Sequence, residues 1–68
     1  MPFVVGDRVE LTRNVGAVVQ GSCGIVVRVL PDTSVLMSVT HAPGCVPLTI
    51  PLHAGPIPQS SLAQCRCP

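Results

Sequence analysis

The sequence predicts an all-β domain of five strands, with a short 3-10 turn before the last of them. Three observations point there. Twelve of the 68 residues are Val, and with Ile and Thr they make a β-branched population whose χ1 is restricted in a helix. No window of helical length keeps apolar residues at i, i+3, i+4 and i+7 without Gly or Pro. Turn-forming clusters at residues 21–24, 31–34 and 41–44 divide the chain into short alternating runs. A chain this short supports one core, so a single domain is expected over residues 1–68, burying only about 60% of its unfolded surface.

The first strand is expected at residues 7–13, where Val9 and Leu11 alternate with Arg8, Glu10 and Thr12, and Val5 continues the inward set. A mostly apolar connection follows at 14–20, then the turn Gly21-Ser22-Cys23-Gly24. The second strand, 24–30, is read with Ile25, Val27 and Val29 facing the core, opposite Arg28. Pro31 suits the second position of the turn at 31–34. It leads into a third strand at 34–40 that sends Val35, Met37 and Val39 inward, making a hairpin. The fourth strand, 46–52, carries Val46, Leu48, Ile50 and Leu52 on one face and Pro47, Thr49 and Pro51 on the other. Because proline donates no ladder hydrogen bond, this is expected to be an edge strand or an irregular one, its prolines also blocking edge-to-edge pairing. Gly55, Pro56 and Pro58 break the chain over 53–61, residues 59–62 form the 3-10 turn, and the last strand is placed at 63–67.

Charge narrows the function. Four Arg oppose Asp7, Glu10 and Asp32, there is no Lys, and the net charge is +1. Arg8, Arg13, Arg28 and Arg66 are dispersed, which argues against nucleic acid and anionic membranes as partners, since both are held by clustered cations. No apolar run approaches the roughly 18 residues of a membrane span, and residues 1–8 lack the basic start and apolar stretch of a signal peptide, so a cytoplasmic location is expected. Catalysis is not expected: a nucleophile needs a base and an orienting acid within reach, and the three acids sit in the first strand and a turn.

Two segments carry a resemblance. Val5-Gly6-Asp7-Arg8-Val9-Glu10-Leu11 and Gln20-Gly21-Ser22-Cys23-Gly24-Ile25-Val26-Val27 resemble the opening strand and the G-x-x-G-x-V-V turn-strand of KOW-type domains. They also resemble small bacterial SH3-like proteins of unknown function, some carried on mobile gene cassettes. The resemblance covers most of the chain and implies a five-stranded SH3-like barrel. Those motifs describe backbone geometry, and fold does not imply function. The polyproline-binding activity of SH3 domains requires an aromatic groove, and this chain has no Trp, no Tyr and one Phe. The basic residues that KOW domains place near the motif are missing apart from Arg28. Gly6-Asp7-Arg8-Val9 and His41-Ala42-Pro43-Gly44-Cys45-Val46 resemble the plasmid-type dihydrofolate reductase, but Pro47, Leu48, Thr49 and Ile50 replace its active-site strand, so that activity is rejected.

Two readings remain. The leading one is a non-enzymatic interaction module that binds another protein or itself as a homo-oligomer, through an outer face around Val26, Leu30 and Leu36 and the edge strand with Pro47 and Pro51. The alternative is a metal module. Cys65 and Cys67, two apart on a strand, would present two thiolates to a soft ion such as zinc or copper, with His53 as a further ligand and Cys23, Cys45 and His41 in reserve. Without a metal no cofactor is expected. In a reducing compartment the four cysteines are expected to be unpaired small hydrophobes, with Cys65 packed near Leu62 and Cys67 in a loose tail.

Overall fold

The computed structural model describes residues 2–68. Its strands are β1 (Arg8–Leu11), β2 (Cys23–Val29), β3 (Val35–Ala42), β4 (Val46–Ile57) and β5 (Leu62–Gln64), with a 3-10 turn at Gln59–Ser61. They form one antiparallel sheet in the order β4-β3-β2-β1-β5. Among the described residues β4 pairs only with β3 and β5 only with β1, so the sheet has two open edges. The all-β class and the 3-10 turn match the sequence reading. Closure into a barrel is not seen.

The core is built from Val9, Leu11, Val26, Val35, Met37, Val39, Ile57 and Leu62. β1 and β3 bury the residues their alternation assigns. Val5 does not: it is exposed, in a turn where the Gly6 N–H donates to the Val26 carbonyl at 2.9 Å. Gln59 ties three segments together, accepting from Phe3 N–H at 2.7 Å and donating to the Thr33 carbonyl at 2.8 Å.

β2 has the opposite phase from the one expected. Val26 is 1% exposed and sits in the core, while Ile25 and Val27 face solvent, so Val26 is removed from the outer interaction face. A bulge is the cause. Val26 pairs with Met37 and Arg28 with Leu36, which leaves Val27 as an extra residue and inverts the alternation between Arg28 and Ile25.

β4 is longer than expected and bent. It runs through the breakers Gly55 and Pro56 to deliver Ile57 to the core. Between the pairs Val39↔Leu52 and His41↔Pro47, two steps along β3 face five along β4, so residues 48–51 arch out of the ladder. The arch splits the four residues read as one face. Leu48 packs against the core, whereas Val46, Ile50 and Leu52 are 55%, 74% and 56% exposed.

The cysteines also depart from expectation. Cys23 pairs with Cys65 and Cys45 with Cys67 as disulfides, and Cys67 is buried rather than loose. β5 stops at Gln64, and the Cys65 N–H still donates to the Arg8 carbonyl at 3.2 Å, holding the tail beside β1.

Candidate functional site: an apolar cleft at the edge strand and a cysteine cluster

The cleft arises from two local folds. Val15 and Val18 exchange both backbone hydrogen bonds, at 2.9 and 3.0 Å, around a turn that Gly16 makes at φ +57°. Asn14 Oδ1 accepts from Gln20 N–H at 2.7 Å, closing the connection into a small loop. At the other side Gly21, with φ +94°, lies so close to Pro43 that a Cβ there would sit 3.2 Å from its ring. The loop is thereby held against the arch of β4. Between them is a mainly apolar cleft of about 170 Å³ lined by Val18, Val19, Val39, Pro43, Leu48 and Leu52.

Of the residues expected to form an interaction face, Pro47 and Pro51 are exposed on β4, Pro51 within the arch. Leu36 is half-buried over Gly55, where a Cβ would fall 2.8 Å from Leu36 Cδ2. Leu30 is half-buried at the β2–β3 turn, its N–H donating to the Ser34 carbonyl at 2.8 Å. Leu36 and His41, the partner of Pro47, are five residues apart on β3, or about 17 Å at the ordinary strand rise. The structure therefore does not join Leu30 and Leu36 to Pro47 in one patch. The lining contributed by Val18, Val19 and Leu48 was the less visible part in sequence. Its signal lay in Asn14 and Gly16, which fold the connection back on itself.

The second constellation is at the end of the sheet where β2 begins. Sγ of Cys23, Cys65 and Cys67 lie within 4.8 Å of one another. The two disulfides touch, with Cys67 Sγ 3.7 Å from Cys23 Sγ. Arg8 Nη2 donates to the carbonyls of Cys67 and Pro68 at 3.1 and 3.3 Å, fixing the tail. Arg66 reaches Glu10 at 3.4 Å, and Glu10 Oε1 lies 3.5 Å from Cys23 Sγ. His53 is not part of this group: it is exposed on β4 opposite Ser38. His41 opposes Cys23, with its Nδ1 engaged 2.9 Å from Thr40 Oγ1. The structure thus groups Cys65 and Cys67 with Cys23, and not with His53 as expected from sequence.

Comparison with known proteins found no matching family model, curated protein or solved structure. Among the described residues no helix is long and apolar enough to cross a membrane.

Proposed function

We propose that this protein is a non-enzymatic interaction module that associates with a second copy of itself through the edge strand β4 and the adjoining cleft. The observation that carries this reading is Ile50, 74% exposed on the β4 arch between Leu48 and Leu52, two residues that line the apolar cleft. A surface with both a knob and a socket suits an isologous two-fold contact, in which each copy places Ile50 in the other's cleft. At about 170 Å³ the cleft suits an aliphatic side chain and falls below the roughly 300 Å³ at which pockets begin to hold drug-sized ligands. Val19 and Leu52, both about half exposed, would extend the contact around it. Association would also cover an edge strand whose ladder is open on one side.

The scaffold is read as SH3-like. The order β4-β3-β2-β1-β5, the 3-10 turn before β5 and the bends in β2 and β4 support that reading, together with the KOW-like segments around Gly6 and Gly24. No role is carried over with it.

Replacing Ile50 by Glu tests the proposal. Losing one buried aliphatic contact per copy, about 2 kcal/mol each before the cost of the charge, should weaken a symmetric dimer more than 100-fold while leaving the monomer folded. Sedimentation of the two proteins side by side reads the result. A wild-type mass equal to one chain, or an Ile50→Glu mass equal to that of a wild-type oligomer, contradicts the proposal.

A further inference from the structure

We infer that the reduced protein holds one zinc ion on the four thiolates of Cys23, Cys45, Cys65 and Cys67. The start of β2 and the segment after β5 bring three of these sulfurs together, and the β3–β4 turn supplies the fourth, Cys45, bonded to Cys67. Cys23, Cys65 and Cys67 already have Sγ atoms within 4.8 Å of one another, and Cys45 is paired with Cys67. A tetrahedral site with Zn–S of about 2.3 Å has sulfurs about 3.8 Å apart. Cys67 and Cys23, which belong to different disulfides, are 3.7 Å apart.

The surroundings fit a thiolate centre. The Cys67 N–H points at Cys65 Sγ at 3.4 Å, an outer-shell hydrogen bond that favours the anionic sulfur. Arg8 lies along the same tail, and Arg66 pairs with Glu10, a carboxylate 3.5 Å from Cys23 Sγ. An open groove bordered by Phe3, Asp7, Arg8 and Cys65 gives an ion a route to Cys65. Soft thiolate ligands in a closed tetrahedron select zinc over magnesium or calcium.

The chemistry balances without a hidden partner. Each disulfide is cleaved by one equivalent of a water-soluble phosphine, which takes oxygen from water and becomes the phosphine oxide, while two electrons and two protons go to two thiols. Zinc then displaces the four thiol protons, leaving a centre of net charge −2 beside Arg8. Metal and disulfides compete for the same sulfurs, so oxidation expels the ion.

Cobalt titration of the phosphine-reduced full-length chain under anaerobic conditions tests the inference. The expected result is saturation at one Co²⁺ per chain, with sulfur-to-cobalt charge-transfer and tetrahedral ligand-field absorption that one equivalent of zinc abolishes. Cys67→Ser should lower the affinity at least 100-fold, whereas His53→Ala should bind as wild type. Absence of these bands in the wild-type protein overturns the inference, whatever the variants do. A loss of binding in His53→Ala overturns the four-cysteine ligand set.

Discussion

Asp32 shows how one residue fixes a turn. Its Oδ1 accepts from both the hydroxyl and the N–H of Ser34, at 2.5 and 3.1 Å, and these bonds, the hydroxyl's foremost, hold the carboxyl below its ordinary pKa. A carboxyl lowered on folding stabilises the fold above its unfolded pKa, and that contribution disappears as the pH falls through the folded value. Ser34→Ala should therefore raise the Asp32 pKa toward 3.8, as read by carboxyl-carbon NMR titration. An unchanged titration would show that the hydroxyl is not the cause. Gly24 fixes a different constraint: a Cβ there would stand 2.1 Å from the Ser38 carbonyl oxygen and 2.8 Å from Val39 Cα. Both obstacles are backbone, so Gly24→Ala must force β2 away from β3. A loss of about 3 kcal/mol is expected in urea unfolding, and an unmoved midpoint would contradict the close approach.

At the scale of elements, β1 and β3 were legible because nothing interrupts their alternation: Val9 and Leu11, then Val35, Met37 and Val39, are all buried. β2 was misread because its phase was anchored on Arg28, on the far side of the bulge at Val27, and a bulge leaves no mark in a run of Ile and Val. In β4 the prolines signalled an edge or irregular strand, and it is both, but not where the arch at 48–51 falls or the continuation to Ile57, which depend on how β3 pairs with it. The cleft was half legible. The connection at 14–20 read as mostly apolar, but that its Val18 and Val19 face Leu48 and Leu52 follows from the closure by Asn14 and the seat of Gly21 on Pro43.

For the whole molecule, the decisive contacts are remote in sequence. The disulfide partners are 42 and 22 residues apart, so neither their pairing nor their convergence is encoded in local spacing, and Cys65-Arg66-Cys67 was visible without its partners. Closing chains of those lengths stabilises the fold by about 3 to 4 kcal/mol per disulfide in the chain-entropy account, comparable to the whole stability of so small a domain. Reduction in the presence of a chelator should therefore lower the thermal midpoint by at least 15 °C in calorimetry. A midpoint that stays within a few degrees would show that the sheet does not depend on these bonds. The proposed self-association would add to this stability at no cost in chain length, and it would give a purpose to Ile50, the most exposed of the large apolar residues among those described. The most direct test is native mass spectrometry of the oxidised wild-type chain beside Ile50→Glu at equal concentration. A wild-type dimer or larger assembly that falls to a single chain in the variant is the predicted result. A wild-type monomer, or an assembly that Ile50→Glu leaves intact, would contradict it.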